Sequence, residues 1–285
     1  MFKNILMPIS SEFYEKEIFE IGAFLAEKFD STITLVYIIE EKALDQADKL
    51  SDVYRSHYDR EETKKEIVSR YIHAAGNIIF DDAKLLFKNR NISFKEEIIE
   101  GEFSVVIKGQ LNKKKYDLIV MGFEKKCLLN YRLLDDMKIP IWIESGYEGK
   151  SILAVCSNLA PNLKVPDIGV ELSKIFGWDL NMLYVVDTQD AVQVDTLGKR
   201  SGKKSEEDLV NKANQFVSEM QKKGIKVKLV KGSLEKETLK AAAEVGAKLV
   251  ILGREQKKKR VFGLPTKSVK KKMAEECRYS ILFMN

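Results

Sequence analysis

The sequence repeats the same order of signals twice, and this repetition limits the fold more than any other feature. The run Asn4–Ser10 (NILMPIS) matches Ser151–Ser157 (SILAVCS), 147 residues later. The run Asp117–Gly122 (DLIVMG) matches Lys248–Gly253 (KLVILG), 131 residues later. A repeat of this length in a chain of 285 residues predicts two domains with the same fold rather than one large domain.

The offsets also locate the domain boundary and the insertions. The offset falls from 147 residues at the first run to 131 at the second. The first half therefore has 16 extra residues between the two runs, which fall around residues 41–59. The last β-rich runs, Ile139–Ile143 and Tyr279–Phe283, match at 140 residues, so the second half has nine extra residues before its final run. The predicted domains are therefore 1–146 and 150–285.

Within each half, short apolar runs alternate with segments of helical period. Leu118–Met121 and Leu249–Leu252 are apolar without alternation, as in buried parallel strands, whereas Ile225–Leu229 alternates and is expected nearer a sheet edge. Three segments carry apolar residues every three or four positions, which is typical of helices that cover a sheet: Ile18, Ile21, Leu25, Phe29; Ile72, Ala75, Ile79, Ala83, Leu86; and Leu209, Ala213, Phe216, Met220. The alternation predicts the α/β fold class, with a doubly wound parallel sheet in each half.

The basic residues are unevenly distributed. The net charge is only +5, but the segment 257–272 holds eight Lys or Arg residues and no acidic residue. No apolar run approaches the roughly 18 residues of a membrane span, and the first residues are typical of a strand, so we expect a cytoplasmic protein with no membrane partner. The three cysteines lack CxxC spacing, and neither a disulfide framework nor a metal site is expected.

The order of these elements resembles the universal stress protein family over essentially the whole chain. The most specific parts are DLIVMG at Asp117–Gly122 and NILMPIS at Asn4–Ser10. The resemblance implies five strands per domain in the order 3-2-1-4-5, helices on both faces, and a ligand crevice between the carboxyl ends of strands 1 and 4. It also implies that the final strands of the two repeats pair as an intramolecular pseudo-dimer, with a homodimer as a further expectation.

The resemblance implies that the first repeat has lost its nucleotide site. ATP-binding members of the family carry an Asp at the end of strand 1 and a G-x2-G-x9-G-[ST] segment after strand 4, where glycines let the backbone approach the phosphates. In this chain Ser10 replaces the Asp, Lys125 replaces the second glycine, and the loop is nine residues shorter than its counterpart. Any nucleotide is therefore expected in the second repeat, at one site per chain.

The second repeat keeps part of the pattern. Ser157 stands at the Asp position and Gln256 at the second glycine, while Ser268 survives after a loop of nearly the family's length. By the resemblance, the base and ribose would be surrounded by Cys156, Ser157 and Val185, and the phosphates by Gly253, Gln256, Lys267, Ser268 and Val269. The implied ligand is ATP, AMP or another small phosphate, whose charge would offset the lysines at 270–272 at the start of the last helix.

Three functions remain open at this stage. The first is a non-catalytic stress-response or regulatory protein that binds an adenine nucleotide in its second repeat. The second is an interaction module that binds no nucleotide and acts through an unidentified protein partner. The third is a nucleic-acid binder that uses the basic segment 257–272, although Phe262 alone is little support for base stacking, and the sequence favours a small phosphate. No general base or metal-binding carboxylate stands where ATP hydrolysis would need one, so no catalytic residues are predicted.

Overall fold

The computed structural model has two compact units, Met1–Leu133 and Leu134–Asn285. The structure describes residues 1–10, 17–40, 65–66, 69–70, 73–122, 138–160, 164–194, 200–253, 273 and 278–284. The predicted domains, 1–146 and 150–285, follow from the sequence repeat rather than from contacts, and that division stays a prediction. The insertion around residues 41–59 lies outside the described residues.

The first unit contains a parallel sheet with the strand order β4-β1-β2-β3. Its described elements are β1 (Asn4–Ser10), α1 (Glu17–Phe29), β2 (Thr32–Ile39), a π-helical turn (Ala75–Phe80), α2 (Asp81–Asn89), β3 (Phe94–Glu100), α3 (Phe103–Lys113) and β4 (Leu118–Gly122). Strand β4 is entirely buried, as the apolar run Leu118–Met121 predicts, and β2 is almost entirely buried. The edge strand β3 alternates between exposed and half-buried positions.

The helices of the first unit follow the predicted apolar stripes with one shift. Helix α1 buries all four predicted stripe residues: Ile18, Ile21, Leu25 and Phe29. In α2 the prediction of Leu86 as a core residue is wrong, because Phe87 is buried there and Leu86 is only half-buried. Ile79 and Ala83 are buried as predicted, and the step of four residues from Ala83 to Phe87 fits the helical period as well as the predicted step of three.

The second unit contains five parallel strands in the order predicted for the family. Its described elements are β5 (Ile141–Glu144), β6 (Ser151–Ser157), α4 (Lys164–Phe176), β7 (Asp179–Asp187), β8 (Val192–Val194), β9 (Arg200–Lys203), α5 (Glu206–Lys222), β10 (Val227–Gly232), α6 (Leu234–Glu244), β11 (Leu249–Gly253) and β12 (Ser280–Met284). The sheet order β10-β7-β6-β11-β12 corresponds to 3-2-1-4-5 within the repeat. The predicted α/β fold class, with tandem doubly wound domains, is thus confirmed, as is the edge position of β10.

The final strand of the first repeat lies in the second unit. Strand β5 pairs antiparallel with β12, with Trp142 opposite Leu282, which confirms the predicted pairing of the two final strands. Trp142 is fully buried, and its indole Nε1 donates to Glu144 Oε2 at 2.9 Å. Lys248 Nζ donates to Glu144 Oε1 at 2.7 Å, and this carboxylate is only 2% exposed. An ion pair therefore fastens the end of β5 to the start of β11.

Candidate functional site

The carboxyl ends of β6, β7 and β11 bring together four of the predicted site residues. Cys156 and Ser157 end β6, and Val185 lies directly opposite Ser157 on β7. Gly253 ends β11, which pairs with β6 on its other side. This is the point where the direction of strand connection reverses, the place where open α/β sheets bind ligands.

The other predicted site residues lie outside the described part of the chain. They are Gln256, Lys267, Ser268 and Val269, together with the rest of the basic segment 257–272. In the first repeat, Lys125 also lies outside it, and only the backbone of Ser10 is described. The roles assigned to these residues by resemblance stay predictions.

The described site residues are buried. Ser157 and Val185 are 0% exposed and Cys156 is 2% exposed. Burial raises the pKa of the Cys156 thiol to about 12, so this group is protonated at neutral pH and does not serve as a nucleophile. The Ser157 hydroxyl accepts a hydrogen bond from the Leu159 N–H at 3.1 Å, so its oxygen already has an internal partner.

Asn158, which follows β6, organises the polar contacts at this edge and was not predicted as a site residue. Its Oδ1 accepts from the Asp187 N–H at 2.7 Å, and its Nδ2 donates to the Val192 carbonyl at 2.8 Å and to the Asp187 carbonyl at 3.3 Å. Its own carbonyl accepts from the Val194 N–H at 2.9 Å. Asn158 is 0% exposed, so these bonds replace its hydration.

Asp187 ends β7 and is a second buried polar residue at the same edge. It is 4% exposed, and its Oδ1 accepts from the N–H groups of Gln189 and Asp190 at 2.9 and 3.0 Å. Its Oδ2 accepts from the Leu234 N–H at 2.8 Å, at the first residue of α6. A carboxylate at a helix N-terminus is stabilised by the free N–H groups and the helix dipole, so Asp187 has a structural role here.

A short hairpin, also absent from the sequence prediction, follows Asp187. Strands β8 and β9 are antiparallel, with Val192 opposite Lys203 and an irregularity in register between Val192 and Val194. The Gln193 N–H donates to Ser201 Oγ at 2.9 Å. The alternation in VQV and the glycines of GKRSG are the signals that could have indicated it.

The polar side chains of Ser157, Asn158 and Asp187 are thus paired within the chain. Within the described ranges, no group of three His, Cys, Asp or Glu side chains is placed to hold a metal ion. Of the helices in those ranges, none combines the length and the apolar character needed to cross a membrane.

Comparison with known proteins identifies the family. The model of the universal stress protein family matches residues 1–136 and 150–283, and the chain therefore belongs to that family. A search of curated proteins found no match.

The fold is shared with solved structures that match over nearly the whole of both chains. A putative universal stress protein from Pseudomonas aeruginosa is 11% identical, with a TM-score of 0.66 over 99% of this chain and 93% of that chain. A functionally unknown protein from the same organism is 11% identical, with a TM-score of 0.65 over 99% and 92%. A universal stress protein from Archaeoglobus fulgidus is 14% identical, with a TM-score of 0.59 over 98% of both chains. At these identities the likeness extends to the fold alone.

Proposed function

We propose that this chain is a regulatory member of the universal stress protein family that acts through protein contacts and needs no bound nucleotide. The observation that carries the proposal is the burial of the side chains expected around a base and ribose. Ser157, Val185 and Cys156 have at most 2% of their surface exposed. A ligand held by these side chains would have to displace the contacts that now cover them.

The charge pattern at the end of β6 supports the same proposal. Ser157 replaces the carboxylate that the family's ATP-binding pattern has at this position, and its hydroxyl oxygen is engaged by the Leu159 N–H. The polar groups of Asn158 and Asp187 are likewise bonded within the chain. When an internal hydrogen bond is exchanged for one to a ligand, the net change in free energy is small. Hydrogen bonds from these groups would therefore contribute little to the free energy of nucleotide binding.

The second candidate function is adenine-nucleotide or phosphate binding in the second repeat. It is favoured by the convergence of Cys156, Ser157, Val185 and Gly253 at one edge of the sheet. The residues expected around the phosphates, Gln256 and Lys267 to Val269, would complete such a site. In the cell, the ligand would be ATP, AMP or another small phosphate.

Native mass spectrometry of the purified full chain, followed by calorimetric titration with ATP and AMP, separates these functions. We expect the chain to carry no nucleotide and to give no binding heat at ligand concentrations up to about 1 mM, a Kd limit that corresponds to roughly 4 kcal/mol. One nucleotide per chain with a micromolar Kd would contradict the proposal and support the second candidate.

A pair of matched variants then assigns any binding that is observed. Lys267→Gln with Lys270→Gln removes two charges from the basic segment, and Lys222→Gln with Lys223→Gln removes two from the end of α5. A phosphate site would lose ATP affinity only in the first pair. A nucleic-acid surface would instead bind a single-stranded oligonucleotide with steep dependence on salt, and the first pair would reduce that slope.

A further inference from the structure

The edge strands of the two units carry charges of opposite sign. Strand β3 contains three glutamates and one lysine, whereas β10 contains two lysines and no acidic residue. The repeat offset of 131 residues places Lys228 at the position of Glu97 and Lys231 at the position of Glu100. The side chains of Glu97, Lys228 and Lys231 keep 30%, 58% and 57% of their surface exposed. The first unit therefore presents an acidic edge where the second presents a basic one.

The backbone of β3 also faces outward at every second residue. The Ile33 N–H donates to the Ser93 carbonyl at 3.0 Å, and the Gly101 N–H donates to the Ile39 carbonyl at 3.0 Å. In the parallel register of β2 and β3, the odd-numbered residues of β3 therefore bond to β2. The even-numbered residues, among them the exposed Ile98, turn their N–H and carbonyl groups away from β2, where no other described strand pairs with them. Such an edge is a template for another strand.

The charges on these edges do not exclude each other. Charged residues on an edge strand prevent pairing between two edges of the same kind, because like charges repel. An acidic edge and a basic edge lack this repulsion, and β10 pairs with β7 alone among the described strands. We propose that β3 of one copy of this chain pairs with β10 of a second copy. Each copy contributes a different edge, so the contact is heterologous and does not limit the assembly to two copies.

The ion pairs within each chain are compatible with this contact. They join Glu97 to Lys114, Lys228 to Glu244, and Lys231 to Glu206. Every member of these pairs is partly exposed, and exposed pairs contribute little to stability, so these side chains can turn toward a second partner at little cost. The contact uses neither the crevice nor a nucleotide, and its test is therefore independent of the proposed function.

Sedimentation velocity of the full-length chain, without any ligand, measures this contact. The weight-average mass of the wild type should rise between about 10 and 500 μM protein in low salt, and should fall when about 0.5 M NaCl screens the charges. Glu97→Lys with Glu100→Lys makes both edges basic, and Lys228→Glu with Lys231→Glu makes both acidic. Each variant alone should associate about ten-fold more weakly than the wild type. An equimolar mixture of the two should associate like the wild type, because complementary edges meet again.

The control is Glu171→Lys with Glu219→Lys, which changes the net charge equally at exposed positions of α4 and α5 and should associate like the wild type. If a reversed variant fails to fold, Glu97→Gln with Glu100→Gln replaces it, together with Ile98→Pro, which removes an outward N–H and keeps the bonds to β2. Association that weakens in the edge variants and returns in the mixture supports the proposal. A wild type that stays monomeric at every concentration, edge variants that associate like the wild type, or a mixture that does not restore association overturns it.

Discussion

The two repeats carry opposite charges at equivalent positions beside their edge strands. In the first repeat, Glu97 of β3 accepts from Lys114 Nζ at 2.6 Å, at the end of α3. In the second repeat, Lys228 of β10 stands at the Glu97 position and pairs with Glu244 at 2.5 Å, at the end of α6. The fold therefore accommodates an ion pair of either polarity at this position.

The residue before the fourth strand of each repeat also changes from acidic to basic, and here the contacts differ more. In the first repeat, Asp117 Oδ2 accepts from the N–H groups of Lys3 and Asn4, both at 3.0 Å, and so anchors the start of β1. The equivalent residue in the second repeat is Lys248, which pairs with the buried Glu144. An acid that binds exposed backbone has thus been replaced by a base that neutralises a buried carboxylate.

The largest effect is expected from removing the base of this buried pair. Lys248→Ala leaves the Glu144 carboxylate, which is 2% exposed, without its counter-charge, and should lower the free energy of unfolding by about 3 kcal/mol. Urea denaturation of the full chain measures it. Lys231→Ala is the control, since the Lys231–Glu206 pair is more than half exposed on both sides and should contribute less than about 1 kcal/mol.

Removing both charges of the buried pair sharpens this comparison. In the double variant Glu144→Gln, Lys248→Met, no charge is buried, and the Gln side chain can still accept from Trp142 Nε1. We expect most of the lost stability to return. If Lys248→Ala and Lys231→Ala lower the free energy of unfolding equally, Lys248 is not the partner of a buried carboxylate.

A smaller difference is expected between two equivalent glycines. Gly101 and Gly232 have φ values of +146° and +153°, which other residues rarely adopt, so alanine at either position should cost about 1–3 kcal/mol. A Cβ on Gly232 would lie closer to its neighbour, 2.9 Å from Cγ and Oε1 of Glu237, but this long side chain can rotate away. A Cβ on Gly101 would lie 3.1 Å from a methyl of Val106, which is 8% exposed and short, so it has less room to move. Denaturation should therefore show the larger loss for Gly101→Ala, and the reverse order would contradict this reasoning.

The smallest effect concerns the exposed edge pairs. Lys114→Ala should cost less than about 1 kcal/mol, because the Glu97–Lys114 pair is partly solvated. The hydrogen bond from Lys114 holds the pKa of Glu97 below the usual range of a glutamate, with a further contribution from Gln110. A carboxyl group whose pKa is lower in the folded than in the unfolded state stabilises the fold at pH values above its unfolded pKa. This stabilisation is lost as the pH falls through the folded pKa.

Denaturation of Lys114→Ala and of the wild type across the acidic range checks this sign. The two proteins should differ at neutral pH and converge in acid, and a difference that stays constant with pH would contradict it. Glu244→Ala in the second repeat should cost less than Lys114→Ala, because a carboxylate at the C-terminal end of α6 opposes the helix dipole whereas a lysine at the end of α3 complements it.

The sequence predicts the features that depend on periodicity. The matching runs at constant offsets identify the repeats, and the stripe from Ile18 to Phe29 identifies the buried face of α1, because a helix buries every third or fourth residue. The alternation near Ile225–Leu229 correctly indicates an edge strand, although β10 begins two residues later, at Val227. These predictions succeed because each depends on a local pattern.

The features that depend on contacts between distant segments could not be predicted. Asn158 is a single polar residue after a strand, and nothing near it in the sequence indicates that its partners are Asp187 and Val192, about 30 residues away. The burial of Ser157 and Val185 likewise depends on the three-dimensional packing around them. The described residues of the site predicted by resemblance lie at the carboxyl ends of β6, β7 and β11, and their role as a site stays a prediction.

Thermal unfolding of the full chain with and without ATP tests most directly the central claim that the second repeat does not bind a nucleotide. A ligand that binds only the folded state raises its stability by RT ln(1 + [L]/Kd), or about 2.7 kcal/mol at a concentration of 100 Kd. The closed edge around Ser157 and Asn158 predicts a midpoint that does not change between zero and about 5 mM ATP, since this limit corresponds to a Kd above the millimolar range. A midpoint that rises steadily with the logarithm of ATP concentration, by several degrees at 5 mM, would contradict it.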